Sequence, residues 1–196
     1  MTVDILGVGM SDDDRVKQEV VDAETLFLAL RFSKEAPAGS EMSIRAITEL
    51  RSYSKQHKVV RDRLRDLLKH DDIFVRILAA EALSVAGAYP KEAVPVLRAF
   101  LDYARKKNLV DDYQVWLGLC FLALEHYGVK ALSALPSVLS YVSRQDNVRL
   151  KAAAVDVIGT FAKKSKASMI LLRGLSNSKI PEVSERARSI VEGSTE

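Results

Sequence analysis

The chain has 196 residues, 48% of them hydrophobic, with a net charge of +3 at neutral pH and a single cysteine. This length suffices for one sizeable domain, and the low content of Gly (9) and Pro (5) favours helix over a turn-rich all-β fold. One cysteine excludes an intramolecular disulfide framework, and the N-terminal stretch lacks the pattern of a signal peptide. The longest apolar run, residues 115–124, is too short to cross a bilayer, so we expect a soluble, cytoplasmic protein without a membrane partner.

Every clear segment has the helical period of apolar residues, and no segment is a convincing strand. Ser11 is expected to cap a first helix, whose first turn carries three aspartates at the positive end of the helix dipole. Residues 34–40 contain both Pro and Gly and are expected to form a loop. Further helices are expected at about 40–53, 59–69, 72–87, 91–107, 113–127, 129–143, 148–163, 166–176 and 181–192.

Charge is distributed unevenly along the sequence. Residues 1–49 hold 5 basic and 10 acidic side chains, whereas residues 50–69 hold 7 basic and 2 acidic ones. Four cations of the second segment are predicted to share one helix side, which we call the basic face: Lys58, Arg61, Arg65 and Lys69. Asp62 and Asp66 lie on the adjacent flank, so ordinary ion pairs account for much of this pattern. The remaining positive charge has three candidate partners: the acidic N-terminal helix, an acidic protein or phosphate.

A short apolar sequence pattern recurs in the chain. Residues 71–87, DDIFVRILAAEALSVAG, are similar to residues 146–159, DNVRLKAAAVDVIG. Valines placed in register are spaced by 40, 33 and 35 residues: Val75, Val115, Val148 and Val183. Pro95 and Pro136 occupy matching early positions in the helices that precede two of these units. Such a repeat is typical of helix pairs that cannot bury their own apolar faces and must stack on neighbours.

The pattern D-x-x-V-R-x-x-A-A-x-A-L at residues 72–83, with Pro95 and Pro136, resembles the HEAT-repeat (armadillo-like) family. The resemblance implies an all-α fold, an α-solenoid of about five antiparallel helix pairs over residues 40–192. Residues 1–39 would add an N-terminal capping helix and loop, within one domain covering 1–196. The chain departs from the family's pattern at Trp116, in the arginine place, and at Asp156, where a leucine is expected.

In this family the second helices of the units line a concave surface. The resemblance therefore implies a non-catalytic protein that binds a protein partner there, as an adaptor, an assembly factor or a toxin-neutralising immunity protein. The implied partner-binding residues are Phe74, Glu81, Gln114, Trp116, Phe121, Asn147 and Lys151. Phe74 and Phe121 would be exposed aromatic anchors on that surface, or else pack into the adjacent unit. Trp116 has the same two interpretations, packing between units or anchoring a partner.

No motif in the sequence indicates an enzyme, and we expect neither catalytic residues nor a cofactor. The three histidines, His57, His70 and His126, lack a second ligand at metal-binding spacing, so no metal site is expected. Cys120 falls at a small core position of the repeat and is expected to be a buried structural thiol. A monomer is expected.

An alternative function is nucleic-acid binding or DNA-alkylation repair, because some glycosylases that remove alkylated bases have a HEAT-like fold. Residues 70–162, the middle of the predicted solenoid, hold 10 basic and 10 acidic side chains, whereas phosphate binding favours a continuous basic surface. A third class, proteins that attach bilins to phycobiliproteins, also has such repeats, but no residue here distinguishes it.

Overall fold

The computed structural model describes residues 11, 14, 18, 41–107, 113–144 and 147–194. Regular structure within these residues is helical throughout, with no strand, so the all-α prediction is confirmed. The helices are α1 (Glu41–Gln56), α2 (Lys58–Leu67), α3 (Ile73–Val85), α4 (Pro90–Lys107), α5 (Gln114–Tyr127), a 3-10 helix (Gly128–Ala134), α6 (Leu135–Arg144), α7 (Val148–Ala162), α8 (Lys166–Leu175) and α9 (Pro181–Glu192).

Short polar side chains begin several of these helices. The Asp72 carboxylate accepts the backbone N–H of Phe74 at 2.8 Å, which satisfies a donor that the first turn of α3 leaves unpaired. Asn147 and Ser165 cap α7 and α8 in the same way. Ser11 Oγ accepts the N–H of Asp14 at 3.2 Å, so the predicted caps at Ser11 and Asp72 are both confirmed.

The end of α3 is a glycine-centred turn. Gly87 has a φ of 60°, its N–H bonds the carbonyl of Ser84, and the N–H of Ala88 bonds the carbonyl of Leu83. These are the two hydrogen bonds of a Schellman motif, in which glycine adopts the left-handed conformation without a Cβ penalty. The helix predicted at 72–87 therefore ends at Val85, two residues earlier than expected.

The single helix predicted over residues 129–143 is wrong in its first half. Gly128, with a φ of 53° and a ψ of −132°, ends α5, and a 3-10 helix then runs to Ala134 before α6 begins. Pro136 is the second residue of α6, where the missing N–H costs no helical hydrogen bond. An α-helix continued back through Leu132 would need that N–H, so the proline marks the start of a new helix.

Alternate helices pack against one another in sequence. Helix α1 contacts α3, α3 contacts α5, α5 contacts α7, and α7 contacts α9. We call these five the helix row. The intervening helices pack beside them: α2 on α3, α4 on α3 and α5, α6 on α7, and α8 on α7 and α9.

The core lies between the helix row and the intervening helices. Helix α3 is buried over most of its surface, with nine buried residues in its thirteen. The largest fully buried side chains include Phe100, Leu97, Leu117, Phe121, Leu124, Tyr141 and Phe161. Tyr141 Oη donates to the carbonyl of Leu101 at 2.8 Å, so this buried hydroxyl also ties α6 to α4.

The predicted register of the repeat is wrong in two units. Val75 and Val183 are buried, but Val115 is 46% exposed and Val148 is 36% exposed. Val75 and Val183 are the third residues of their helices, and the third residues of α5 and α7 are Trp116 and Leu150. Leu150 is buried and Trp116 packs against the core, so the spacings become 41, 34 and 33 residues. Trp116, like Val75 and Val183 the third residue of its helix, therefore packs against the core.

The segment Gln114–Ser143 is long and apolar enough to span a membrane by length and composition alone, with a mean hydropathy of 1.3 in its most apolar window. The central helix of a soluble protein passes the same test. Here Gly128 interrupts the segment, and α5 packs between α3 and α7 with Leu117, Phe121 and Leu124 fully buried. Buried residues make up 39% of that window, so α5 packs against the core on one side and is accessible on the other.

Candidate partner-binding face

Three polar contacts join neighbouring members of the helix row: α1 to α3, α3 to α5, and α7 to α9. Arg51 Nε of α1 donates to Glu81 Oε1 of α3 at 2.6 Å. Ser84 Oγ of α3 lies 3.1 Å from His126 Nδ1 of α5. Arg186 Nε of α9 donates to Asp156 Oδ1 of α7 at 2.6 Å.

The outer side of α5 is apolar along most of its length. Gly118, Leu122 and the pair Glu125 and His126 follow at helical spacing, so they share one side of the helix. Val115 is exposed, Leu119 and Leu122 are half-buried, and a Cβ placed on Gly118 would meet no atom within 4 Å. We call Val115, Gly118, Leu119 and Leu122 the α5 strip.

Glu81 of α3 is completely buried, and its charge acts on the buried Cys120 and Tyr127 of α5. Its Oε1 pairs with Arg51, but its Oε2 has no hydrogen-bond partner. Burial raises the pKa of this carboxyl group, and the Arg51 guanidinium only partly opposes that effect. The ion pair therefore fastens α1 to α3 while leaving one buried carboxylate oxygen unsatisfied.

The N-terminal end of the row carries positive charge. Lys55 is exposed and the Arg51 side chain is 28% exposed, and we call these two residues the basic end. The pKa of His126 is lowered by partial burial and then by the charges of Arg51 and Lys55. The charges of the basic end on α1 thus act on the pKa of His126 on α5, with α3 between the two helices.

The opposite end of the row carries mostly negative charge. A cleft of about 430 Å³ opens between α7 and α9 and is lined by Asp156, Glu182, Glu185, Arg186, Ser189 and Ile190. The pKa of Glu125 is raised by partial burial and then by the negative charge of Asp156. We call Glu125, Asp156, Glu182 and Glu185 the acidic end, within which Arg186 compensates one carboxylate directly.

The structure places several predicted site residues away from solvent. Phe121 is only 1% exposed, with its ring edge-on to Tyr141 at 5.5 Å, and Glu81 is fully buried. Phe121 therefore packs into the core and is not an exposed anchor, and Glu81 offers no exposed surface, because α3 and α5 each lie between two neighbouring helices of the row. Asn147 is half-buried and its side chain caps α7, whereas Gln114 is exposed and Lys151 half-exposed.

Phe74 and Trp116 belong to an aromatic cluster between α3 and α5. Their ring centroids lie 4.6 Å apart, and Phe74 also contacts Tyr113 and the buried Phe100. Both side chains are half-buried and pack against the core. The interpretation of Trp116 as a packing residue between successive units agrees with this arrangement.

The basic face is largely engaged within the protein. Lys58 Nζ pairs with Asp62 at 2.7 Å, as the ion-pair interpretation predicts, and each partner shifts the other's pKa toward the charged form. Arg61 donates to the carbonyl of Ser54 at 2.8 Å and so caps the end of α1. Arg65 pairs with Glu92 and lies over the Tyr89 ring. Lys69 is exposed, and any contact with the acidic N-terminal helix lies outside the described residues.

Cys120 is completely buried, and burial strongly raises the pKa of its thiol, so the prediction of a buried structural thiol is confirmed. Across the described ranges, no group of three or more His, Cys, Asp or Glu residues is arranged to hold a metal ion.

Sequence reasoning missed Arg51, Lys55, Leu122, Glu125, His126 and Asp156 as residues of one face. The spacing of Gly118, Leu122 and Glu125 could have identified the outer side of α5. The pairings of Arg51 with Glu81 and of Asp156 with Arg186 join residues 30 positions apart, and no local pattern indicates them.

Comparison of the chain with protein families, curated proteins and solved structures finds no match.

Proposed function

We propose that the chain is a non-catalytic protein of HEAT-like helix pairs that binds a protein partner along the outer side of its helix row. The contacts along the row support the repeat assignment. Each helix of the row packs against the helix two places further along the chain, as stacked two-helix units require. Intervening helices α2, α4, α6 and α8 would be the first helices of four units, and α3, α5, α7 and α9 the second.

The observation that carries the binding proposal is the α5 strip. It puts a glycine and three apolar side chains, each at least partly accessible, at the centre of the row. Apolar surface flanked by charged groups is typical of protein interfaces, which have an apolar centre and a polar rim. A partner that covered this strip would bury Leu119 and Leu122 and gain from the removal of apolar surface from water.

Nucleic-acid binding has less support than protein binding. Lys58, Arg61 and Arg65 of the basic face already bond groups within the protein, and the acidic end of the row would repel phosphate. The adaptor, assembly-factor and immunity-protein roles all use the proposed surface, and all remain compatible with it.

The proposal is tested by affinity capture from extract of the source cell, with and without nuclease. Three immobilised proteins are compared: the natural chain, Leu122→Asp, and Ile170→Asp as the matched control. Ile170 is 69% exposed on α8, outside the row, so its replacement leaves the proposed surface intact. Circular dichroism and thermal melting establish that the variants fold.

We expect one nuclease-resistant protein to be retained in stoichiometric amount by the natural chain and by Ile170→Asp but lost from Leu122→Asp. A charge on the strip would be desolvated without a partner, which costs several kcal/mol of binding by order of magnitude. Recovery of nucleic acid, or equal capture by all three proteins, would contradict the proposed surface.

A further inference from the structure

We infer that the partner segment is charge-polarised: it places acidic residues at the basic end of the row, an apolar residue on the α5 strip, and a basic residue at the acidic end. The inference rests on the proposed function and specifies the chemistry of its partner. The occupant is a peptide segment of another protein that crosses the helix row.

The apolar part of the site is the α5 strip. The absent side chain at Gly118 leaves open space beside Leu119 and Leu122, wide enough that a Cβ there meets nothing within 4 Å. Gly118 lies within α5, where glycine weakens the helix relative to alanine, so helix formation does not explain its presence. This open space lets an apolar side chain of the partner approach the α5 backbone beside Leu119 and Leu122.

The basic end is positioned by the buried ion pair. Arg51 uses Nε for the Glu81 carboxylate while its side chain keeps 28% exposure, and Lys55 lies one helical turn further on with an exposed side chain. The pKa of His126 is lowered first by partial burial and then by the charges of Arg51 and Lys55, which places these two cations near the end of α5. Partner carboxylates are the complementary groups for this end.

The acidic end is formed where α5, α7 and α9 meet. Glu182 and Glu185 are exposed on the cleft wall, Asp156 lies at its base with Arg186, and Glu125 faces the same charges from α5. Among the described residues, the three cleft carboxylates and Glu125 face one guanidinium, that of Arg186, so this end keeps a net negative charge. A lysine or arginine of the partner entering the cleft would balance it.

Adjacent residues of α5 lie near charges of opposite sign. After the effect of burial, the cations of α1 lower the pKa of His126, and the carboxylate of Asp156 on α7 raises that of Glu125, with Arg186 in partial opposition. A uniformly charged partner, such as a nucleic acid or an acidic tail, would gain at one end of the row and lose at the other. The helix row therefore favours a segment with both signs in a defined order over either uniform partner.

The length of the segment follows from helix packing. Adjacent packed helices are about 8–10 Å apart, so the five-helix row spans about 35 Å and needs about 11 extended residues. The test uses a phage-displayed library of random peptides of about 16 residues, which exceeds this span. The library is selected on the natural chain and counter-selected on Gly118→Trp, whose indole fills the gap on the strip.

Selected peptides are then synthesised with a fluorescent label and measured by polarisation against the natural chain, Lys55→Glu, Glu185→Lys and Ile170→Asp. Lys55 and Glu185 are both exposed, so these replacements leave the core unchanged. We expect the peptides to carry separated acidic and basic residues around an apolar one. We expect affinity to fall about tenfold for each charge reversal, as for a lost complementary contact, and to stay constant for Ile170→Asp.

Replacing the peptide's acidic residues by lysine should restore binding to Lys55→Glu. Peptides of a single charge sign, binding to Lys55→Glu or Glu185→Lys as tight as to the natural chain, or no enrichment over Gly118→Trp would each overturn the inference. The capture experiment separates the two claims, because a protein lost only from Leu122→Asp would uphold the proposed function while the polarised partner failed.

Discussion

Glu81 combines complete burial with a single ionic partner. Removing a carboxylate from water is costly, and one hydrogen bond from Arg51 satisfies only one of its two oxygens. Breaking a buried pair by deleting one partner leaves the other charge uncompensated, but Arg51 retains access to water. Glu81 is therefore a residue whose protonation the fold itself favours.

A Glu81→Gln variant should change how stability depends on pH. The folded-state pKa of Glu81 is raised above the ordinary 4.5, so the folded chain holds this proton at pH values where the unfolded chain has released it. The contribution of Glu81 to stability is full below pH 4.5 and declines as pH rises through the folded-state pKa. The free energy of unfolding of the natural chain should thus fall relative to that of Glu81→Gln over this window.

Urea denaturation followed by circular dichroism, at closely spaced pH values from 4.5 upward, measures the difference. Glu185→Gln is the matched control, because it makes the same replacement at a glutamate that is exposed on α9. Parallel stability profiles for the natural chain and Glu81→Gln would show that the buried carboxyl group titrates normally.

The length of a helix in this protein is set by the residues at its ends more than by those in its interior. Helix α5 is apolar on nearly all sides, so the periodicity of its sequence does not specify where it stops. Gly128 does so through a backbone conformation that L-residues rarely adopt, and the 3-10 helix follows from it. Stability at this position is a matter of backbone strain and not of packing, since a Cβ on Gly128 also meets no atom within 4 Å.

Gly128→Ala should destabilise the protein by about 1–3 kcal/mol, because alanine is strained at that φ and ψ. Gly118→Ala is the matched control, since it too adds a methyl group into open space but within a regular helix. There alanine should stabilise by up to about 1 kcal/mol through its higher helix propensity. Thermal denaturation of both variants gives the two signs, and destabilisation of equal size in both would refute the role of backbone conformation.

Sequence patterns predicted most elements because caps, prolines and glycines act locally. The helix expected at 181–192 has those limits, and the caps at Ser11 and Asp72 form as expected. The sequence did not predict which residue of each helix faces the core. Val115 and Trp116 are adjacent, and only the contact with α3 decides that Trp116 faces inward. A shift of one or two residues exchanged exposed and buried positions in α5 and α7.

At the scale of the whole molecule, charge is separated along the helix row. The sequence suggested an uneven charge distribution but assigned the cations to the basic face of α2, where local bonds engage most of them. The exposed cations that matter for the proposed surface, Arg51 and Lys55, lie on α1 instead. Their effect on the pKa of His126 depends on how α1, α3 and α5 pack. The sequence pattern of a single helix does not predict this packing.

The separation predicts a measurable response at His126. Lys55→Glu removes a cation that lowers the pKa of His126 and adds an anion, so this pKa should rise. NMR titration of the imidazole protons of His57, His70 and His126 measures it, with the His126 signal assigned by its loss in His126→Gln. Lys69→Glu is the control, since Lys69 does not influence His126. A rise that persists unchanged in high salt would contradict a through-space origin.

Cys120 gives the molecule an internal reporter. It is the only cysteine in 196 residues and is fully buried on α5, between α3 and α7. A thiol reagent can reach it only when the centre of the row opens, so its labelling rate measures the opening free energy there without any engineered probe. A partner bound across α5 would slow the labelling of Cys120. In an intact cell, the fraction of protein left unlabelled would then measure how much of it has a partner bound.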